Sequence, residues 1–356
     1  MNKIFKYRPL SDFLFKELYY QEIFFASYSE LNDPLDLFAR IDFNTDDIEA
    51  IDYLVWFIVK TQIDFENSQK INFKKLFLFE NNKIARNNFK NTILVKVLEH
   101  RKLNKNLWIN DIIEIINDSI SKTKADFSFD SIKFRTETVR LTNKFLKNSS
   151  ATCFSKTNNE PLMWSHYASK HSGICLEFNL ENGLSFPYIG NYLRKPDNEK
   201  YKERISKWNI ETHIYWDKLS QVGYQEEQPF INFYNFAVIF ENEYDCDLIG
   251  LSKSWTHKYA NELESVFSTK TIDWKYEQEW RAIHINFDKP KEPEERISHY
   301  PIEALSGIYF GVNTPENVKN RIYKLISSKT KTVDFYECIL NGNNKIEFEN
   351  WEYFEE

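Results

Sequence analysis

The chain has 356 residues, of which 42% are hydrophobic, 17% aromatic and 28% charged, and its formal net charge is -7. This length allows one large domain or two modest ones with a sizeable core, and the many aromatics with few Gly and Pro exclude a low-complexity chain. The acidic balance argues against a broad, non-specific binder of duplex DNA, while a local basic groove for RNA stays open.

The N-terminus and the cysteines indicate a cytoplasmic protein. The opening MNKIFKYRPL has no apolar core of a secretory signal, and the longest apolar run, Tyr53–Val59, is too short to span a bilayer. The four cysteines lie far apart and form no CxxC pair, which argues against a structural zinc site or a disulfide framework. We therefore expect a soluble protein of the reducing cytoplasm, with no membrane association.

The first 43 residues are predicted to be rich in β-structure. Lys3–Arg8 reads as a strand closed by Pro9, and Asp12–Tyr20 as a short helix. Ile23–Ser27 follows as a second strand before the turn that contains Asn32-Asp33-Pro34. These elements form the N-terminal part of the predicted core domain.

Residues 44–149 are predicted to form a helical insertion lobe. Apolar residues recur three and four positions apart over helical lengths, and their charged residues are typical of solvated helix faces. The predicted helices are Asp47–Thr61, Ile84–Leu103, Trp108–Ser121 and Phe134–Lys147.

The stretch Ala151–Leu180 packs strand, turn, helix and strand into thirty residues. Ala151–Ser155 is β-prone, Pro161 opens a helix at its first position, and Gly173 stops it. Apolar residues then alternate along Ile174–Leu180, which predicts a half-buried strand. Short connections make these elements neighbours in space, so we look for function here.

The remainder completes an α+β pattern, in a core domain of residues 1–43 and 150–356. A polar loop segment (Glu181–Lys200) precedes three predicted helices, and later strands alternate with one more helix capped by Thr314. The predicted elements are helices at Tyr201–Leu219, Gln228–Glu243, Trp255–Phe267 and Thr314–Ser327, strands at Ser268–Asn286, Ala304–Val312 and Thr332–Leu340, and a closing hairpin through Lys345–Phe354.

Two carboxylates, Glu277 and Glu279, stand out within the predicted strand at Ser268–Asn286. Alternation along a strand puts them on one face, roughly 7 Å apart, with Arg281 beside them. Paired carboxylates raise each other's cost of ionising unless a cation compensates, so they indicate either an acid–base site or a solvated ion pair of Glu277 with Arg281.

The order of these motifs resembles the mono-ADP-ribosyltransferase fold. An early strand carries Arg8, a later strand ends in Phe154-Ser155, and the E-x-E of Glu277 and Glu279 follows. The serine motif, second in this order, is either Ser155 or the triplet Ser27-Tyr28-Ser29. The resemblance implies a split antiparallel or mixed β-core that uses NAD as a substrate, without a metal. It implies that Arg8 holds NAD, Ser155 shapes the nicotinamide pocket, Glu279 stabilises the oxocarbenium-like charge, and Glu277 orients an acceptor or acts as a base.

Further candidates for contact with NAD are aromatic and polar residues near these motifs. Each also has a structural interpretation: the aromatics can fill the core, and a histidine is favourable at a helix C-terminus. These candidates are Tyr7, Ser27, Trp164, His166 and Tyr167.

A second resemblance covers more of the chain. The phrases YRPL, FFASYSELNDPLD, CFSKTNNEPLMWSHYASKHSGICLEF and WKYEQEWR are similar to a bacterial family catalogued as domain of unknown function 2971. The resemblance implies an accessory gene in a toxin or anti-phage defence module. We expect an ADP-ribosyltransferase or NAD glycohydrolase acting on a protein or RNA, with an antitoxin or defence-system partner.

Two alternatives belong to other functional classes. A metal-dependent nuclease or hydrolase would use His166, His171, Glu177 and Glu279, although their spacing matches no metal-binding signature. A non-catalytic ADP-ribosyltransferase-like binding module would need the two carboxylates only for stability or for partner binding.

Overall fold

A mixed sheet of nine strands dominates the part of the chain that the structure describes. The computed structural model describes residues 3–38, 40–42, 83–103, 109–121, 132, 136, 139, 143, 146–182, 186–194, 209–217, 219–232, 265–284, 290–341 and 345–353. Helices and strands are interspersed along the chain, which confirms the predicted mixture of helices and strands around a mixed sheet.

The strands and helices have the following bounds. The strands are β1 (Lys3–Arg8), β2 (Glu22–Phe24), β3 (Ala26–Ser27), β4 (Arg40–Asp42), β5 (Ser150–Ser155), β6 (Ile174–Asn179), β7 (Phe186–Arg194), β8 (Asn209–Asp217), β9 (Ser220–Gln221), β10 (Gly223–Gln225), β11 (Phe230–Asn232), β12 (Thr269–Thr271), β13 (Glu279–His284), β14 (Ile297–His299), β15 (Leu305–Phe310), β16 (Asp334–Leu340) and β17 (Ile346–Asn350). The helices are α1 (Asp12–Tyr20), α2 (Lys83–Leu103), α3 (Ile109–Ser121), α4 (Pro161–Tyr167) and α5 (Glu316–Ser327).

The order of strands in the main sheet is β17-β16-β15-β6-β1-β5-β13-β9, and β3 pairs with β5 beside this path. The β15–β16 pair is parallel and the other pairs are antiparallel. Strands β1, β5, β6 and β13 therefore lie side by side, so the motifs at the two ends of the chain become neighbours.

Register divides the residues of the central strands between the two faces of the sheet. Phe5 of β1 lies opposite Ser155 of β5, which in turn lies opposite Glu279 of β13. Because side chains alternate along a strand, these three residues share one face and Arg8, three residues after Phe5, lies on the other. We call them the Glu279 face and the Arg8 face.

Each face carries its own hydrophobic core. The larger core lies on the Arg8 face, where α1 and α5 cover Ile4, Leu176 and Ile308. The smaller core lies on the Glu279 face, where Met163 and Trp164 of α4 cover Phe5. The strand predicted at Ile174–Leu180 is confirmed as β6, but the prediction that it is half-buried is wrong. Because β6 lies in the middle of the sheet, both of its sides are buried, including Cys175 and Glu177.

Several predicted secondary-structure elements differ from those in the structure. The loop predicted at Glu181–Lys200 and the helix at Tyr201–Leu219 instead supply β7 and β8, which form an antiparallel hairpin with nine residue pairs. Residues 230–232 of the predicted Gln228–Glu243 helix form β11, which pairs with β4. The predicted strand Ile23–Ser27 is divided into β2 and β3 at Phe25.

The helical lobe is described only in part. Helices α2 and α3 confirm the helices predicted at Ile84–Leu103 and Trp108–Ser121, and a salt bridge of 2.6 Å joins Lys96 Nζ to Asp118 Oδ2. The helix predicted at Asp47–Thr61 and most of the one at Phe134–Lys147 lie outside the described residues. The domain boundaries stay a prediction. Among the residues that are described, no helix is long and apolar enough to cross a membrane.

The chain leaves α4 through a left-handed turn. Ser169, Lys170 and His171 have φ angles of 47°, 54° and 67°, a conformation that costs a residue with a Cβ roughly 1 kcal/mol. Gly173 follows where a Cβ would lie 2.3 Å from the carbonyl oxygen of Arg8, so this position requires glycine. Thr314 does not cap α5 as predicted, because its Oγ1 donates instead to the carbonyl oxygen of Gly173 at 2.8 Å.

Replacing the exposed Lys170 with glycine is expected to raise the free energy of unfolding by about 0.5–1 kcal/mol, because glycine adopts positive φ without steric cost. Lys170→Ala keeps the Cβ and is the matched control. Chemical denaturation of both variants measures the difference. Equal stability of the two variants would show that the turn is not strained.

Candidate functional site

The two predicted carboxylates do not lie on one strand. Residues 272–277 form a 3-10 helix that ends at Glu277, Gln278 adopts a left-handed φ of 44°, and Glu279 begins β13. The predicted strand at Ser268–Asn286 is therefore interrupted, and strand alternation does not relate the two acids. They come together because both contact one buried lysine.

That lysine is Lys270, at the centre of a buried charge cluster. Its Nζ lies 2.8 Å from Glu277 Oε2, 2.7 Å from Glu279 Oε2 and 3.3 Å from Asp36 Oδ2. Arg281 closes the cluster: it holds Asp36 with bonds of 2.8 and 3.1 Å, and its Nε donates to Glu279 Oε1 at 2.8 Å. Arg281, which the sequence predicted to compensate Glu277, pairs instead with Glu279 and Asp36. Its side chain is fully buried.

This arrangement separates the pKa values of the two glutamates. For Glu279, burial opposes ionisation, but Arg281 and Lys270 hold its pKa below the usual range. For Glu277, burial raises the pKa to about 7, although Lys270 acts in the opposite direction. Glu279 is therefore a permanent anion bound by two cations, whereas Glu277 exchanges a proton near neutral pH.

Glu277 is also the acid that connects to the protein surface. The Tyr167 hydroxyl at the end of α4 donates to Glu277 Oε1, and the exposed Asn32 amide donates to the Tyr167 oxygen. Burial and the adjacent Glu277 raise the pKa of the Tyr167 phenol, so it stays protonated as a donor. The chain Asn32–Tyr167–Glu277 thus leads from solvent to a carboxyl group whose pKa suits acid–base chemistry.

Ser155 supports this carboxyl group through the backbone. Its Oγ donates to the carbonyl oxygen of Glu277 at 2.7 Å and accepts from the Thr157 amide at 3.2 Å. Ser155 is itself buried. The structure thus places Ser155 beside Glu277, in a position that fixes the end of the 3-10 helix.

Arg8 lies away from these residues, on the opposite face of the sheet. Its guanidinium forms a salt bridge with Glu17 of α1, with 2.9 Å between Nε and Oε2. Ser27 caps the turn that follows it by bonding Glu30 Oε2 at 2.8 Å. The structure therefore does not bring Arg8 together with Ser155 and Glu279, because register assigns Arg8 to the other face.

The predicted aromatic contacts divide between core and surface. Trp164 is buried and donates from Nε1 to the Asn158 carbonyl at 2.6 Å, and Tyr7 packs edge-on against it with ring centroids 5.3 Å apart. His166 is exposed, and its ring centroid lies 6.2 Å from that of Tyr276. Tyr276 lies 6.2 Å from Trp274, so three accessible rings follow one another beside Glu277.

The residues proposed for a metal site are not brought together. Glu177 accepts hydrogen bonds of 2.7 Å from both Ser306 and Tyr309 and a 2.7 Å salt bridge from Lys3. His171 stacks on Trp164 with ring centroids 6.5 Å apart. Across the described ranges, no group of three His, Cys, Asp or Glu residues could hold a metal ion.

Sequence reasoning missed three members of the site. Asn32 lies in the segment that was predicted to be a turn, and Asp36 lies two residues after that segment. Lys270 carried no sequence signal, because its partners are distant in the chain or lie beyond an irregular turn. The phrase NDPLD within the family resemblance was the available indication for Asn32 and Asp36.

Comparisons with known proteins support the resemblance at the level of family alone. No curated protein and no solved structure matches the chain. The model of one protein family, described as "Protein of unknown function (DUF2971)", matches residues 163–282, a segment that includes Tyr167, Lys270 and Glu277. This match confirms the predicted resemblance to that family.

Proposed function

We propose that this chain is an NAD-consuming enzyme, an ADP-ribosyltransferase or NAD glycohydrolase, and that Glu277 is its catalytic carboxylate. The observation that carries the proposal is the surface-connected Glu277, with a pKa of about 7 and with Tyr167 and Lys270 on its two oxygens. Of the motifs in the ADP-ribosyltransferase resemblance, Ser155 and the E-x-E pair lie together and add support, whereas Arg8 does not join them. Glu279, whose oxygens are bound by Lys270 and Arg281, takes the supporting role.

The chemistry needs a carboxylate where positive charge develops. Cleavage breaks the bond between the ribose carbon C1″ and the nicotinamide nitrogen, and the electron pair neutralises the pyridinium ring, so the leaving group needs no acid. An ionised Glu277 would stabilise the oxocarbenium-like ribose and accept the proton of the water or acceptor that attacks C1″. Tyr167 and Lys270 would hold the carboxylate in place during the reaction.

The three rings beside Glu277 suit the planar ring of the substrate. Trp274 and Tyr276 are half-buried and His166 is exposed, so each presents ring surface to solvent. Stacking of a heteroaromatic ring on aromatic side chains contributes roughly 1–3 kcal/mol per ring. Two exposed cations, Lys156 and Lys275, lie next to site residues in sequence and could contact the pyrophosphate in place of Arg8.

The acceptor we propose is a cytoplasmic protein or RNA, in a toxin or anti-phage defence role with an antitoxin or defence-system partner. This part of the proposal rests on the family resemblance. Transfer of labelled ADP-ribose from NAD to material in a lysate tests it, and release of nicotinamide without labelled acceptor would instead identify an NAD glycohydrolase.

Glu277→Gln is expected to reduce nicotinamide release from NAD by about 10²–10³-fold, because glutamine keeps the shape of the side chain and removes its charge. The wild-type rate should rise with pH through about 7, since the ionised form is active and burial raises the pKa of Glu277 to that value. Nicotinamide release by the purified protein at several pH values measures both effects.

The exposed Glu349→Gln on β17 is the matched control and should keep the wild-type rate. A wild-type protein that releases no nicotinamide with NAD, alone or with lysate, would contradict the proposal. So would a Glu277→Gln variant with an unchanged rate.

A second candidate is a non-catalytic binding module. The specific observation in its favour is that Arg8 and Glu279, which the resemblance assigns to NAD binding and to catalysis, both form salt bridges within the protein. In that case Glu277→Gln would change stability or partner binding, and no turnover of NAD would be measurable for any variant.

A further inference from the structure

The Arg8 face contains a cavity that the proposed NAD chemistry does not use. It lies between β1, α1 and β2 and is partly open to solvent, and its empty space of about 280 Å³ includes part of that open solvent. Its enclosed part is small, with room for little more than one water molecule. Its walls combine apolar side chains with five polar ones, namely Lys6, Arg8, Glu17, Glu22 and Tyr300.

The charged residues of the cavity are paired except for one. Arg8 is bound to Glu17, and Glu22 Oε2 lies 3.3 Å from Lys16 Nζ. Lys6 Nζ donates to Thr152 Oγ1 at 2.8 Å and to the Cys153 carbonyl at 3.0 Å. Among the residues with described side chains, no carboxylate lies within 4 Å of the Lys6 Nζ. Its third neighbour is the Phe154 ring, with the centroid 4.9 Å away, so all of these partners are neutral.

Burial, reinforced by the neighbouring Arg8, lowers the pKa of Lys6 to about 8. At neutral pH most Lys6 side chains still carry a positive charge. A partly buried cation without a counterion is unfavourable, so an anion beside it would stabilise the folded chain.

A second donor in the cavity also lacks a partner. Tyr300 is 4% exposed, and its hydroxyl forms no hydrogen bond within the described part of the chain. Its ring packs edge-on against Phe178, with centroids 5.0 Å apart, so the hydroxyl is held in place rather than free to reach solvent. Buried hydroxyl groups nearly always have a partner, which indicates that something polar accepts from Tyr300.

We propose that this cavity binds a small monovalent anion such as chloride, held by the Lys6 ammonium and the Tyr300 hydroxyl. Both groups are donors, so the occupant must accept hydrogen bonds, and the unpaired cation favours a negative charge. The small enclosed space excludes polyatomic anions and leaves only the smallest anions as candidates. Glu17 and Glu22 in the wall disfavour ions with more than one negative charge.

Thermal unfolding in sodium chloride and in sodium gluconate of equal ionic strength tests this proposal. Chloride is expected to raise the unfolding midpoint by about 2 °C or more over gluconate, because an ion that binds only the folded state stabilises it. Tyr300→Phe and Lys6→Met should each remove most of this difference. Tyr19→Phe changes an exposed phenol elsewhere and should keep it.

Crystals grown with bromide give an independent measurement. Anomalous density beside Lys6 and Tyr300 supports the proposal. An ordered water in its place, or a difference between the two salts that persists in both cavity variants, overturns it. Neither measurement requires NAD, so both keep their meaning whether or not the protein releases nicotinamide.

Discussion

Replacing Arg281 with methionine is expected to lower the free energy of unfolding by about 3–5 kcal/mol, the largest effect that we predict. Arg281 is fully buried, and its guanidinium binds Asp36 and Glu279 at distances of 2.8 to 3.1 Å. Methionine fills much of the volume but leaves two buried carboxylates with Lys270 as their shared cation. Urea denaturation followed by circular dichroism measures the change.

Arg321→Met on α5 is the matched control for this prediction. The Arg321 side chain is exposed and lies over the Phe15 ring at 4.1 Å, an interaction that contributes about 0.5–1 kcal/mol at such sites. Arg321→Met should therefore cost no more than that. Equal losses in the two variants would mean that the charge cluster does not stabilise the fold. The same physics indicates that Glu279→Gln weakens the fold, because Glu279 is bound by both Lys270 and Arg281.

Gly311→Ala is expected to destabilise the protein by about 3 kcal/mol, at the upper end of the usual cost of overpacking. A Cβ at position 311 would lie 2.2 Å from the carbonyl oxygen of His171 and 2.8 Å from its carbonyl carbon. Both atoms belong to the backbone, and the same oxygen accepts a hydrogen bond from the Asn313 amide, so it cannot move freely. Chemical denaturation of the variant tests the prediction.

Gly223→Ala is the control for this second prediction. A Cβ at position 223 would meet its nearest neighbour, the Ser268 carbonyl oxygen, at 3.8 Å, which is ordinary van der Waals contact. This variant should keep its stability within about 1 kcal/mol of the wild type. A Gly311→Ala variant as stable as Gly223→Ala would mean that the turn after α4 can move away from β15.

Local elements with strong chain signals could be predicted from the sequence. Lys3–Arg8 and Asp12–Tyr20 have the predicted bounds, and α4 begins at Pro161 as expected. In each case one pattern, such as the proline at the first helical position, agrees with the tertiary structure. The hairpin of β7 and β8 was missed because the apolar residues within Asn209–Asp217 also fit helical spacing. The strand conformation of this segment is fixed by its pairing with β7 along nine positions, which the local sequence does not show.

The site could be predicted in part. Glu277 and Glu279 were identified as a pair with a compensating cation, but which acid Arg281 binds depends on the left-handed turn at Gln278. Arg8 was assigned to the site from the motif order of the mono-ADP-ribosyltransferase resemblance, and its strand β1 does lie beside β5. The face on which it lies depends on the register of β1 against β5, which pairs Phe5 with Ser155, and a shift of one residue would reverse it.

The hydrogen-bonded chain from Asn32 through Tyr167 to Glu277 joins three segments separated by more than a hundred residues each. During synthesis on the ribosome, the first two segments leave the exit tunnel long before the third is translated. A growing chain therefore cannot present the assembled acid until Glu277 and β13 have emerged. An unfinished chain that ends before Glu277 therefore lacks the carboxyl group and its buried lysine contact together.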